Sequence, residues 1–189
     1  DAKAWGLDRT KVKVGFVGHI YEDQGIATVL EAIAHLSSDV RERLEFLIVG
    51  DGPDLASLKQ LAEDLGVSGQ TRFVGKVPFA RVPSAIASCD YMLAPFTKRT
   101  FTVTGSSALK IYEALSCNKP LIASRGPDHE FLHENNLGLL VEAENVLEWA
   151  KTLEGVIKNA PSFSSGRSYV QKHHSYEKIA REIYALAVE

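Results

Sequence analysis

Short apolar runs alternate with segments of helical periodicity along almost the whole chain, and this alternation constrains the fold more than any single motif. Apolar runs of strand length occur at residues 12–17, 44–49, 71–74, 91–94, 121–123 and 139–141. Between them, apolar residues recur at helical spacing, as at Ile26, Val29, Leu30 and Ile33. Such short, mostly apolar runs are typical of strands buried on both faces. The sequence therefore predicts an α/β, Rossmann-like domain with a doubly wound parallel sheet of about six strands.

The length of the chain limits how many domains it can form. Helices are predicted at residues 26–36, 55–65, 80–87, 104–117, 146–158 and 176–188. With 189 residues, of which 45% are hydrophobic, the chain suits one α/β domain. We expect residues 1–189 to form a single domain, excised from a longer chain because it lacks an initiator Met. The final helix would then pack on a preceding domain.

The composition excludes several classes of function. A net charge of -3 supplies no basic field, so a nucleic-acid partner is not expected. Cys89 and Cys117 lie in apolar segments without metal-ligand spacing, which predicts buried free thiols in a reducing compartment. The sequence contains neither a signal-peptide pattern nor an apolar run of about 18 residues, so a cytoplasmic location is predicted.

Residues 104–124 carry the most informative local pattern. On the predicted helix, Ser106, Lys110 and Glu113 share one face, while Ile111 and Leu115 belong to an apolar stripe on another. Backbone N–H groups at a helix start bind anions, which suits a phosphate, and Glu113 lies about one turn beyond Lys110. The pattern favours a nucleotide site. The alternative is an ordinary surface ion pair between Lys110 and Glu113.

Glycine residues follow most of the predicted strands. In a doubly wound sheet, ligands bind at the carboxyl ends of the strands, where the loops converge. The loop residues at these ends include Gly18, His19, Gly50, Gly52, Lys76, Val77, Pro95 and Gly105. Each glycine turn alone is also explained by ordinary loop chemistry. Together, the turns predict a ligand cleft at this edge of the sheet.

Other nucleotide and metal motifs do not fit the sequence. The first strand and helix lack both the G-x-G-x-x-G spacing of dinucleotide-binding folds and a P-loop lysine motif. His173 and His174 precede a helix without partner ligands, so we expect no metal site there. Asp128, His129 and Glu130 follow the fifth strand, where they could contact a ligand or simply begin a helix.

Four segments in register resemble a known enzyme family over nearly the whole chain. They are residues 14–32, 47–53, 73–77 and 108–114. In order and spacing they resemble the donor-binding, C-terminal half of group 1 (family 4) glycosyltransferases of the GT-B fold. The resemblance is carried by the four segments jointly rather than by any one of them.

The resemblance implies a retaining transfer of a sugar from a UDP- or GDP-sugar, without a cofactor or a bound metal. The acceptor, a saccharide or glycolipid, would be held by an N-terminal domain, as in polysaccharide biosynthesis, and the fragment alone would bind donor with hardly any turnover. The resemblance also allows a peripheral membrane association of the full-length protein. Two alternatives stay open: a non-catalytic nucleotide-sugar-binding module and a sugar-nucleotide epimerase.

The resemblance also suggests roles for individual residues. It gives Glu113 the ribose hydroxyls and makes Lys110 and Glu113 the catalytic candidates. The diphosphate would lie over Ser106, Ser107, Ala108 and Leu109. Lys76 and Val77 would meet the base. Gly50 and Gly52 would form a wall of the cleft, beside Pro95 and Phe96.

Three positions depart from the family pattern. His19 stands where the family carries an arginine after the first-strand Gly18, and Gln24 stands where it carries a lysine. Gly105 occupies a position where many members have a glutamate that contacts the sugar, although a subset with the pattern S-x-x-L-K-x-x-E shares this form. We expect Lys110 to offset part of the lost positive charge at the diphosphate.

Overall fold

The structure is a computed structural model that describes residues 2–104 and 109–187. Six strands form one parallel sheet within these residues. They are Val12–Val17 (β1), Leu44–Val49 (β2), Thr71–Gly75 (β3), Tyr91–Ala94 (β4), Leu121–Ser124 (β5) and Gly138–Val141 (β6). The predicted fold class and all six strands are confirmed, and each strand boundary agrees within one residue.

The strand order is β3-β2-β1-β4-β5-β6. The chain moves outward from β1 to β2 and β3, then returns to the other side of β1 with β4. The order therefore reverses at β1, and its carboxyl end borders the crevice in which doubly wound sheets bind ligands.

Helices cover both faces of the sheet. They are Ile26–Ala34 (α1), Ser38–Arg41 (α2), Leu55–Asp64 (α3), Val82–Ala87 (α4), Leu109–Ser116 (α5), Glu130–Glu134 (α6), Val146–Asn159 (α7), Gly166–His173 (α8) and Tyr176–Ala187 (α9). Within residues 2–104 and 109–187, 3-10 turns occur at Ala2–Trp5, Glu22–Gln24 and Phe79–Arg81, and a π-helical turn occurs at Thr100–Thr104. Among the described residues, every helix is too short or too polar to cross a lipid bilayer.

Two helix predictions need correction. The helix predicted at residues 80–87 begins at Val82, because Phe79–Arg81 forms a 3-10 turn before Pro83 in the first turn of α4. The predicted helices leave residues 159–175 unassigned, but α8 begins within them at Gly166. Its start is capped by the Ser165 hydroxyl, which accepts a hydrogen bond of 3.3 Å from the Ser168 amide.

The core lies in two layers, one on each face of the sheet. Trp149 of α7 is fully buried in one layer with Phe16 of β1, and Ile111 of α5 is buried in the other. Of the two thiols expected to be buried, Cys89 is buried and Cys117 is only half-buried. The apolar stripe predicted for α5 is therefore a core contact, which places its other face at the crevice.

The last helix leaves apolar side chains uncovered. Ile179, Ile183 and Tyr184 of α9 are 40%, 62% and 71% exposed. The expectation that this helix packs on a preceding domain stays a prediction.

Candidate functional site

Two adjoining cavities open at the carboxyl ends of the strands. The first, of about 590 Å³, is lined by Val17, Gly18, His19, Val49, Gly50, Asp51, Gly52, Lys76, Val77 and Val82. The second, of about 530 Å³, is lined by Val17, Gly18, His19, Tyr21, Gln24, Phe79, Val82, Phe96, Thr100, Leu109, Lys110 and Glu113. The linings share Val17, Gly18, His19 and Val82, so the cavities form one continuous cleft.

The wall of the first cavity depends on a close approach between two glycines. The Gly18 amide donates to the Val49 carbonyl at 3.0 Å, and the Gly50 amide donates to the Gly75 carbonyl at 3.0 Å, so the ladder extends past the strand ends. Gly50 has a φ of 148°, and a Cβ atom there would lie 1.8 Å from the Gly18 carbonyl oxygen. A side chain at Gly50 would therefore push the two loops apart.

The segment Glu22–Gln24 is fixed against the loop that follows β4. The carbonyl oxygen of Asp23 accepts hydrogen bonds from the Thr97 amide at 3.1 Å and the Thr100 hydroxyl at 2.7 Å. The Gln24 side chain that follows is buried, with only 4% of the residue exposed. Two β-strand ends, β1 and β4, thus jointly position Gln24 in the cleft.

Lys110 reaches into the cleft from the first described turn of α5. Its ammonium donates a hydrogen bond to the Gln24 amide oxygen and lies 4.2 Å from the Phe16 ring centroid and 5.0 Å from that of Phe96. Burial lowers the pKa of Lys110 to about 7, because desolvation disfavours the charged form, and the Glu113 carboxylate opposes this shift. The Lys110 ammonium is therefore buried and hydrogen-bonded rather than freely solvated.

Glu113 lies one turn further along α5 and lines the same cavity. The alternative of an ordinary surface ion pair with Lys110 does not describe this geometry. Within the described residues, the hydrogen bond of the Lys110 ammonium goes to Gln24, and Glu113 is half-buried at the wall of the cleft. Lysine and carboxylate face the same cavity, as the spacing on the helix predicted.

The cleft brings together most of the residues predicted from the sequence. These are Gly18, His19, Gln24, Gly50, Gly52, Lys76, Val77, Leu109, Lys110 and Glu113. Gly105, Ser106, Ser107 and Ala108 lie outside the described residues. Pro95 is absent from both linings in the described part of the chain. It is buried, and a Cβ atom at Gly25 would lie 1.7 Å from its carbonyl oxygen.

Sequence reasoning missed several apolar residues of the cleft. Tyr21, Phe79 and Val82 line it, and the Phe16 ring contacts the Lys110 ammonium. Phe79 is 80% exposed, which is unusual for a phenylalanine. This exposure is the structural feature that draws attention to it as a residue of the cleft. Its position after Pro78 gave no corresponding signal in the sequence.

Asp128 and His129 lie directly before α6, which begins at Glu130, so these residues lead into a helix as one of the two interpretations predicted. His129 is 1% exposed, and its Nδ1 atom donates to the Ser124 carbonyl at 2.8 Å. Its ring lies 5.7 Å from Phe96 and 5.4 Å from Phe101, and burial lowers its pKa. Glu130 pairs with Arg125 at 2.6 Å. His129 is thus a packing residue behind the cleft.

The two adjacent histidines before α9 contact aromatic rings. The ring of His174 lies 4.5 Å from Tyr112, and the ring of His173 lies 4.7 Å from Tyr169. Tyr112 and Tyr169 flank Phe131 in a stack of nearly parallel rings. The histidines therefore belong to the contact between α5, α6 and α8, which lies apart from the cleft lining.

The cleft of glycine turns, with a lysine and a carboxylate, lies at the switch point of a parallel sheet, where doubly wound α/β domains bind their ligands. Comparison with known families agrees with this class. The family described as glycosyl transferases group 1 matches residues 1–182, and the chain belongs to that family. The resemblance inferred from the four sequence segments is confirmed.

Individual relatives agree with the family and the fold. The chain is 24% identical over 180 residues to an uncharacterised glycosyltransferase of Methanocaldococcus jannaschii, covering 92% of this chain and 44% of that protein. The structure of HepE from Anabaena in complex with UDP-glucose has a TM-score of 0.78 at 20% identity, covering 94% of this chain and 49% of HepE. This likeness confirms that the fold is that of one half of a GT-B structure.

A separately solved domain matches along most of its own length. The C-terminal domain of a group 1 glycosyl transferase, LpcC of Francisella tularensis, has a TM-score of 0.72 at 20% identity, and the match covers 87% of both chains. The present chain, by contrast, spans less than half the length of the Methanocaldococcus relative and of HepE.

Proposed function

We propose that this chain is the donor-binding domain of a glycosyltransferase that uses a UDP-sugar, with a GDP-sugar as the alternative donor. One observation carries the proposal: Lys110 and Glu113 project from one helix into the cleft that Lys76 and Val77 also line. A lysine, a carboxylate and the loop after β3 match the diphosphate, ribose and base of one nucleotide. The UDP-glucose in the HepE complex supports UDP as the first choice.

The two cavities divide the nucleotide between them in this proposal. The base enters the first cavity beside Lys76 and Val77, and the diphosphate enters the second beside Gly18 and Lys110. Glu113 accepts hydrogen bonds from the two vicinal hydroxyls of the ribose, since an ionised carboxylate is an acceptor with two oxygens. The sugar then extends beyond the diphosphate toward the open side of the cleft.

The chemistry of transfer places negative charge on the diphosphate as it leaves the sugar. A protonated Lys110 beside that group stabilises this charge, and its partly apolar surroundings strengthen the interaction relative to water. We propose that the transfer retains the configuration of the sugar. The acceptor, a saccharide or glycolipid, is provided by another part of a longer protein.

A non-catalytic nucleotide-sugar-binding module remains the second candidate. The observation that favours it is the uncharged Gln24 and the histidine His19 in the cleft, at positions where cations were expected. Lys110 supplies a positive charge to the same cavity, which weakens this argument. Turnover of a labelled UDP-sugar by the full-length protein would support the enzyme, and donor binding without turnover would support the module.

Calorimetric titration with UDP and GDP tests the proposal. We expect UDP to bind with a dissociation constant below about 1 mM. Lys110→Ala should weaken binding about 10-fold or more, because hydrogen bonds to charged groups contribute about 1.5–3 kcal/mol. The exposed Lys59 of α3 offers a matched control, and Lys59→Ala should bind UDP like the parent. Failure of the parent to bind either nucleotide would reject the proposal.

A further inference from the structure

The Lys110 ammonium is surrounded on several sides by other residues of the cleft. The Gln24 amide oxygen accepts its hydrogen bond, and the Phe16 and Phe96 rings lie 4.2 Å and 5.0 Å away. A Cβ atom at Gly18 would lie 3.2 Å from the ammonium nitrogen, so the glycine leaves room for it. A long, flexible side chain is thereby held in one place, which reduces the entropy that a ligand must otherwise remove.

Gln24 is itself fixed in place, as a residue that positions the Lys110 side chain must be. It is buried, and its backbone N–H donates to the Tyr21 carbonyl at 2.9 Å. The preceding residue, Asp23, is bound to Thr97 and Thr100 in the loop after β4. The amide oxygen that faces Lys110 is an acceptor, so it would repel rather than bind a phosphate oxygen at the same position.

We propose that Gln24 is a positioning residue that holds the Lys110 ammonium beside Gly18, where the diphosphate of the donor binds. In this role it acts through Lys110 rather than by its own contact with the nucleotide. The inference rests on the proposed function, because the diphosphate is the group that the positioned cation meets.

The charges around Lys110 determine how binding depends on pH. Glu113 faces it from α5, and His19 and Tyr21 line the same cavity from the segment after β1. Asp23, beside Gln24, lies 3.8 Å from the Arg99 guanidinium. Burial lowers the pKa of Lys110 to about 7, so this lysine loses its proton at a lower pH than an exposed lysine does. A diphosphate favours the charged form, so binding takes up a proton and weakens as the pH rises above 7.

A double-mutant cycle on UDP affinity separates positioning from direct contact. Gln24→Ala should weaken UDP binding about 5-fold in the parent, yet change it less than about 2-fold in a Lys110→Ala background. If Gln24 instead contacts UDP itself, the two substitutions will have additive effects, and the inference is overturned. Thermal unfolding of each variant checks that the domain remains folded.

A second variant keeps the acceptor while changing its charge. In Gln24→Glu the carboxylate favours the charged lysine, so the pH at which UDP affinity begins to fall should move upward. An NMR titration of the Lys110 side chain without ligand should show the same shift. An unchanged lysine titration overturns the positioning role even if UDP binds. Absence of UDP binding by the parent rejects the proposed function. It also rejects the role of Gln24 in positioning Lys110 for the diphosphate.

Discussion

Lys110 donates a hydrogen bond to Gln24 from a helix that lies 86 residues further along the chain. The contact joins the segment after β1 to the helix that carries Glu113, across the point where the strand order of the sheet reverses. Gln24 stands where the family pattern has a lysine, so the sequence alone indicated one positive charge fewer in the cleft. In the structure, Gln24 instead accepts a hydrogen bond from Lys110 of α5. The cleft therefore has a lysine on α5 instead of one in the segment after β1.

Glu113 is expected to distinguish ribose from deoxyribose. The parent should bind UDP about 10-fold or more tightly than 2′-deoxy-UDP, because a carboxylate that accepts from a hydroxyl contributes about 1.5–3 kcal/mol. Glu113→Ala should remove most of this preference, which competition binding with the two nucleotides measures. The exposed Glu63 of α3 provides the control, since Glu63→Ala should preserve it. Equal preference in the parent and in Glu113→Ala would contradict the assignment.

Gly50→Ala is expected to damage both stability and nucleotide binding. The added methyl group would lie 1.8 Å from the Gly18 carbonyl oxygen, and the φ of 148° is itself unfavourable for alanine. Either the loops after β1 and β2 separate or the backbone at Gly50 changes, and both deform the first cavity. Chemical denaturation and UDP titration on one preparation should show a loss in each.

The matched control lies within α7. Gly155 is in the middle of that helix, and an added Cβ atom there would have no neighbour within 4 Å in the described part of the structure. Gly155→Ala should therefore raise the free energy of unfolding by about 0.5–1 kcal/mol, since alanine restricts the unfolded chain and favours the helix. UDP affinity should stay at the parent value. A destabilised Gly155→Ala would show that glycine-to-alanine changes in this chain do not follow local geometry.

Acidification is expected to destabilise the domain through His129. Burial lowers the pKa of His129 in the folded state, so below a pH of about 6.5 the unfolded chain binds more protons than the folded one. The free energy of unfolding should therefore fall as the pH decreases from 7 toward 5, by up to about 1.4 kcal/mol per pH unit for this group. His129→Gln should flatten that slope, as measured by denaturation at several pH values. An unchanged slope would mean that other groups cause it.

Strands β2, β4 and β5 were predictable because all their side chains are buried. Every side chain of β2, for example, is buried, and its mostly apolar run of six residues has the length of a strand. Helix α8 was missed because its sequence is mostly polar. It packs through Gly166, where a Cβ atom would lie 2.7 Å from a Leu115 methyl carbon, and a glycine contact of this kind has no hydrophobic signature.

The candidate site was predictable where one helix or one turn carries it. Lys110 and Glu113 face the same cavity because their spacing on a single helix requires it. The Gln24 contact joins two distant segments, and no local pattern in either one indicates the other. The confinement of Lys110 between Phe16 and Phe96 likewise depends on how the two strand ends pack.

A crystal structure of the chain with UDP bound would locate every part of the nucleotide. We expect the uracil beside Lys76 and Val77, the ribose hydroxyls within hydrogen-bond distance of Glu113, and the diphosphate at the Lys110 ammonium. UDP bound elsewhere would refute the proposed donor site, for instance in the cavity of about 390 Å³ at the opposite end of the sheet, which Asp90 and Lys119 line.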